Sequence, residues 1–170
     1  MDLKKFVRDV PDFPKEGIIF KDITPLLLNP EAFRHAVGEM LKPYRGERID
    51  KILAMEARGF IFGAPMAYEL RCGLVIARKK GKLPRRTLQA TYSLEYGEAT
   101  VEVHQDSIGE NDRILIVDDL IATGGTARAL ASLVEKQGGK VVGFSFLVEL
   151  TFLKGREALG NYRVETIIKY

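Results

Sequence analysis

Ile114 to Ala127 read ILIVDDLIATGGTA, and few folds accommodate that order of residues. Four apolar residues, Ile114 to Val117, spell a buried strand. Asp118 and Asp119 follow, then a turn of Ala122, Thr123, Gly124, Gly125 and Thr126, then an alanine-rich run with helical spacing through Leu133 and Val134. The order is strand, acidic edge, glycine turn, helix. Gly124 and Gly125 open backbone conformations closed to other residues, so N–H groups of the turn and of the helix start can converge on one anion. Thr123 and Thr126 add hydroxyl donors, and the helix dipole favours negative charge. Such a turn seats one phosphate. Like charges keep Asp118 and Asp119 off that phosphate, so they face groups that donate hydrogen bonds or carry positive charge. A phosphorylated sugar meets both demands.

Other glycine-turn chemistries do not fit. A Walker-type loop needs Gly, four residues, then Gly-Lys and Ser or Thr, and the chain has no such stretch. The dinucleotide fingerprint Gly-x-Gly-x-x-Gly is missing too. With 170 residues the chain fits one domain, residues 1–170, and 46% apolar with 29% charged residues is the balance of a soluble globular protein. No apolar run reaches the ~18 residues of a membrane span, and MDLKKFVRDVPDF lacks the apolar centre of a secretion signal, so a cytoplasmic address is expected. Cys72 is the single cysteine, which rules out an intrachain disulfide and a cysteine metal cluster. The net charge of +3 is mild and the basic residues gather at Arg78 to Arg86. A polyphosphate ligand explains that cluster better than nucleic acid does.

Along the chain, Asp2 to Val10 is expected to form a short amphipathic helix that Pro11 stops. Residues 11–28 contain PDFPKEGIIFKDITPLL, too rich in turn residues for a helix and too apolar for a solvated linker. Asn29 and Pro30 open a helix whose inner face is Phe33, Val37, Met40 and Leu41. Lys51 to Met55 reads as a strand, Glu56 to Gly59 as the turn at its carboxyl end, Phe60 to Leu70 as a buried helix and Leu74 to Ala77 as the next strand. Thr87 to Val103 gives two β-rich pieces about Gly97, a long hairpin or mobile loop. After the central unit come a strand from Val141 to Leu150, a short helix near Lys154 to Leu159 and a last strand, Val164 to Ile168. Strands alternating with helices imply an α/β fold: a twisted, mostly parallel sheet flanked by helices, with ligand at the strand carboxyl ends.

Two further features fall at strand ends. Arg78, Lys79, Lys80 and Lys82 surround Gly81 and carry enough charge to neutralise a pyrophosphate, and Arg58 offers a second fork for the same group. No protein cage for a metal is visible, since His35 and His104 stand in no ligand spacing. Magnesium, if used, would be held mainly by pyrophosphate, sugar hydroxyls and water.

FPKEGIIFKDITPLL, EARGF, ARKKGKLP, TYSLEYG, VDDLIATGGTA and VELTFLKGRE stand in this order over nearly the whole chain. Together they resemble the adenine phosphoribosyltransferase family, type I enzymes that use phosphoribosyl pyrophosphate (PRPP). The resemblance implies the reaction of adenine with PRPP to give AMP and pyrophosphate, with Mg2+, in a cytoplasmic homodimer. It also implies roles. Ala122, Thr123, Gly124, Gly125 and Thr126 would hold the sugar's terminal phosphate and Asp118 with Asp119 the ribose, while Arg58, Arg78, Lys79 and Lys82 would fall on the pyrophosphate side. Ile18 to Asp22 would form a hood, with Phe20 stacked on the purine, the backbone at Ile19 reading its edge, Lys21 beside it, and Leu150 on the opposite face.

Ala122 bears on which purine is used. In the related hypoxanthine and guanine enzymes an aspartate at this position handles the base's proton, so here the proton is managed elsewhere. Glu95, between Leu94 and Tyr96, matches a family glutamate that approaches the purine as residues 87–103 close, and shielding from water would raise its pKa as a general acid requires. Two alternatives differ in kind: transfer to another purine, and a non-catalytic PRPP-binding regulator.

Overall fold

In the computed structural model, which describes residues 1–94 and 96–170, seven strands form one twisted sheet in the order β5-β6-β4-β3-β7-β8-β9. The strands are β3 (Lys51–Met55), β4 (Gly73–Lys79), β5 (Thr87–Ser93), β6 (Glu98–His104), β7 (Arg113–Ile121), β8 (Lys140–Glu149) and β9 (Val164–Lys169). β4, β3, β7, β8 and β9 run parallel, while β6 joins β4 antiparallel and pairs with β5 as a hairpin. The expected mostly parallel sheet is present. Ile52 to Ala54 and Ile114 to Val117 are wholly buried, as befits central strands covered on both faces.

Each face of the sheet has its own core. On one, α2 (Pro30–Leu41) and α3 (Arg58–Leu70) pack Ala36, Met40, Phe62 and Met66 against Ile52, Ala54, Leu115 and Val117. On the other, α4 (Gly125–Lys136) and the hairpin pack Leu130, Leu133 and Val134 with Val101 and Val103 against Leu53, Ile114 and Ile116. Asn29 caps α2 as its sequence predicts, its side chain accepting the Ala32 N–H at 2.9 Å. The helix buries Ala32, Ala36, Met40 and Leu41 completely and leaves Phe33 and Val37 half-buried, a small rotation from the expected face.

At the amino end the structure departs from expectation. Asp2 to Val10 is not a helix: Leu3–Phe6 makes one 3-10 turn and β1 (Arg8–Pro11) follows. β1 pairs antiparallel with β2 (Ile19–Asp22), matching Val10 with Phe20, and α1 (Thr24–Leu28) comes next. A partner strand outweighs the weak helical preference of so short a segment, and Pro11 ends the ladder because it has no N–H. The apolar but non-helical stretch is therefore a two-stranded flap.

The chain enters the parallel sheet at β3, adds β4 on one side and returns to place β7 on the other. The β3–β7 junction is thus the switch point where an open sheet leaves a crevice at its carboxyl edge.

Candidate active site

Both aspartates belong to β7 itself. The strand continues past the four apolar residues to Ile121, so alternation separates the two side chains instead of leaving them on a loose acidic edge. Asp119 is 5% exposed, Asp118 half-buried. Asp118 Oδ1 accepts the Asp119 N–H at 2.8 Å. Burial and the neighbouring Asp119 charge push the Asp118 carboxyl well above the usual range. Burial also raises Asp119, against the opposing pull of Arg58.

Arg58 crosses the switch point. It starts α3 directly after β3, and its Nε lies 2.9 Å from Asp119 Oδ2. The approach is off the hydrogen-bonding direction, so this buried oxygen is ion-paired yet, among the described residues, has no hydrogen-bond donor. Close passage of α3 over β7 depends on Gly59. A Cβ there would stand 2.7 Å from Asp118 Oδ1 and 3.2 Å from the Val117 carbonyl oxygen.

The glycine turn lies immediately beyond β7. Gly124 has φ +83°, and a Cβ would drive into the Gly155 carbonyl, so the position is closed to other residues both by conformation and by space. α4 begins at Gly125, and its first-turn N–H groups, having no acceptor within the helix, open into a cleft of about 180 Å³. Ala122 to Thr126 and Asp118 line it, over a floor of Ile116, Leu130 and Phe146. Tyr92 of the hairpin closes one side, its Oη accepting the Thr126 hydroxyl at 2.7 Å. Nothing in the sequence singled out this tyrosine, because the contact joins residues 34 apart.

The flap approaches from the other side. Phe20 sits edge-on to Phe13, ring centroids 5.1 Å apart, and over the Arg58 guanidinium at 4.9 Å. Ile19 is 55% exposed at the flap surface. Lys21 is committed elsewhere, its Nζ 2.7 Å from Asp9 Oδ1 and 3.9 Å from the Tyr170 ring centre. Leu150, half-buried, donates its N–H to the Ile121 carbonyl at 3.0 Å and so stands beside the end of β7. Tyr96 is 80% exposed at the hairpin tip, with Lys15 of the flap 5.5 Å from its ring centre. Glu95 lies outside the described residues.

Of the basic group, Lys79, Lys80 and Lys82 are exposed. Arg78 is held within the protein: its Nε and Nη2 both bond Glu56 Oε2 at 3.0 Å, and its Nη1 donates to the Lys82 carbonyl at 3.2 Å. Although burial opposes it, bonds from the Lys79 amide and Arg78 keep the Glu56 carboxyl below the usual range. Arg78 shapes the basic loop. Lys79, Arg58, Tyr92, Thr126, Asp118 and Asp119 line a second cleft, which shares Asp118, Leu120 and Thr126 with the first.

A divalent cation suits this chemistry only if its ligands come mainly from elsewhere. Among the described residues no cluster of three or more His, Cys, Asp or Glu could cage one. Asp118 and Asp119, two carboxylates on the lining of that second cleft, do fit an ion held chiefly by polyphosphate and sugar oxygens.

Comparison with known proteins fits the geometry. The phosphoribosyl transferase domain family matches residues 26–168. The adenine phosphoribosyltransferase of Pseudothermotoga lettingae is 54% identical over 170 residues, all of both chains. The crystal structure of adenine phosphoribosyltransferase from Thermoanaerobacter pseudethanolicus superposes with a TM-score of 0.97 at 51% identity, covering 99% of this chain and 98% of the other. That of Saccharomyces cerevisiae, complexed with an iminoaltritol bisphosphate and adenine, gives 0.92 at 39%, covering 98% and 96%.

Proposed function

The chain belongs to the adenine phosphoribosyltransferase family, and from that premise we propose how its residues divide the work. The reaction transfers the 5-phosphoribosyl group of PRPP to adenine, giving AMP and pyrophosphate in purine salvage. One observation carries the assignment of parts: a glycine turn whose first-turn amides have no acceptor within the helix adjoins Asp118, Asp119 and Arg58 at the sheet's switch point.

The amides of Ala122 to Thr126 and the two threonine hydroxyls hold the sugar's terminal phosphate. Asp118 and Asp119 accept hydrogen bonds from the ribose hydroxyls. Arg58, Lys79 and Lys82 receive the pyrophosphate, while Arg78 keeps their loop in shape through Glu56 and the Lys82 carbonyl. Phe20 stacks on adenine, the backbone at Ile19 reads its edge and Leu150 packs on its other side. The side chain of Lys21, tied to Asp9 and Tyr170, supports the flap. Magnesium, when bound, disperses charge on the departing pyrophosphate. Its ligands would be mainly pyrophosphate, sugar and water oxygens, with Asp118 and Asp119 as the nearby carboxylates of the protein.

As the glycosidic bond to pyrophosphate lengthens, the ribose gains positive charge and becomes vulnerable to water. Closure of residues 87–103, with Tyr96 at the tip, excludes water, and Glu95 manages the adenine proton that Ala122 cannot. We assign the whole chain, residues 1–170, to one domain with flap and hairpin as its moving parts. The working form is a homodimer in the cytoplasm. Among the described residues no helix is long and apolar enough to cross a membrane. Exposed Tyr68, Leu74 and Ile76, at 86, 40 and 38%, offer apolar surface for a second copy.

The deciding experiment follows pyrophosphate release from PRPP and magnesium with adenine, hypoxanthine and guanine offered separately. Release with adenine alone is expected. Release with an oxopurine would sink the reading of Ala122, and binding of PRPP without release on any base would point to a regulator.

A further inference from the structure

The basic loop after β4 binds no anion through its backbone. The Lys79 N–H donates to Glu56 Oε1 at 2.6 Å, the Lys80 N–H to the Thr100 carbonyl at 3.1 Å and the Lys82 N–H to the Lys79 carbonyl at 3.3 Å. The Gly81 and Leu83 N–H groups donate to Glu102 Oε1 at 3.2 and 3.1 Å. Every amide from 79 to 83 is engaged within the protein, the reverse of the turn at 122–126. Only the lysine ammonium groups are left for a ligand, and where they point depends on what holds the loop.

Glu102 is a principal part of that hold. It is 2% exposed, and its second oxygen, Oε2, accepts Thr87 Oγ1 at 3.2 Å and Gln89 Nε2 at 3.0 Å, both on β5. The residue also stands opposite Arg78 in one of the two residue pairs by which the hairpin joins the sheet. A single carboxylate thus ties the lysine loop, β5 and β6 together. Four uncharged donors satisfy it, and a carboxylate is the side chain that can accept all four, being acceptor-only with about four lone-pair sites. Together they outweigh its burial and keep the carboxyl below the usual range. A simple filler of this space would not need the charge.

We infer that Glu102 is a positioning residue for the pyrophosphate half of the reaction, locking the Lys79–Leu83 loop to the base of the closing hairpin so that Lys79 and Lys82 meet the leaving group. The inference rests on the functional reading above and adds a residue that touches no substrate.

Glu102→Gln keeps the shape but turns an NH2 group toward donors. In steady-state kinetics the KM for PRPP and the inhibition constant of product pyrophosphate are each expected to rise about tenfold, while the KM for adenine stays within about twofold. Unmoved PRPP and pyrophosphate constants would overturn the proposal, as would equal rises in all three, the mark of general loosening. If Glu102→Gln does not fold, Gln89→Leu, which removes one donor and leaves the carboxylate, should show the same split at smaller size, and overturns the proposal if it does not. A wild-type chain inert toward adenine would remove the functional reading and this role with it. An active wild type with flat variant constants would remove this role alone.

Discussion

At the scale of single residues, the site is built at a cost to stability. Asp118 titrates above its ordinary value of 3.8 in the folded chain because it is buried and beside Asp119. Its ionisation therefore opposes folding at every pH above the raised value and has no effect below 3.8, where it is protonated in both states. Asp118→Asn removes that opposition while the amide oxygen can still accept the Asp119 N–H. The variant should melt about 2–4 °C higher at pH 7 for a gain of about 1 kcal/mol, with the difference shrinking as the pH falls toward 3.8. PRPP binding should weaken at the same time. Identical melting curves at pH 7 would show that the charge is not opposing folding. The role proposed for Glu95 predicts an effect on rate: Glu95→Gln should lower turnover by roughly 10²- to 10⁴-fold with PRPP affinity by calorimetry largely intact, and unchanged turnover would exclude it as proton donor.

At the scale of elements, the glycine turn at 122–126 is braced from behind by α5 (Gly155–Ala158). Gly124 packs on the Gly155 carbonyl and Ala158, and the Arg128 side chain reaches the Ala158 carbonyl at 2.9 Å. In return, a Cβ at Gly155 would collide with the Ala122 carbonyl and stand 2.8 Å from Ile121 Cγ1. Gly155→Ala must push the turn forward. The expected cost is about 1–3 kcal/mol of stability, together with a PRPP KM higher by about tenfold. Wild-type values for both would mean the turn holds its shape without this support. The hairpin is the contrasting element. It joins the parallel sheet through only two residue pairs with β4 and is held besides by packing under α4, the Tyr92–Thr126 bond, the Glu102 bonds, the Lys80 N–H to Thr100 carbonyl bond and the Gln137 side chain on the His104 carbonyl.

At the scale of the molecule, the flap, the switch point and the hairpin reach one crevice from three directions, so substrate handling depends on how they are held together. Tyr68, Leu74 and Ile76 lie on β4 and near the end of α3, and none of them lines either cleft of the candidate site. Covering them with a second copy would leave the crevice open. Sedimentation equilibrium should therefore return twice the 19.0 kDa of the chain, and a single-chain mass at assay concentrations would refute the homodimer.

The sequence determined the central unit. A run of buried apolar residues followed by paired aspartates and a glycine turn is local information, because strand burial, the freedom of Gly124 and the opening of α4 are all fixed within a dozen residues. The alternation of strands and helices similarly carried the sheet. Tertiary structure decided what depends on distant partners. Arg8 to Pro11 became a strand because β2 lay alongside, and Arg78 came to brace the basic loop because Glu56, 22 residues earlier, faces it. Tyr92 met Thr126, and Glu102 collected donors on both sides of Pro84. A side chain's chemistry can be read from its own letter, but its partners are set by which strands the fold brings together.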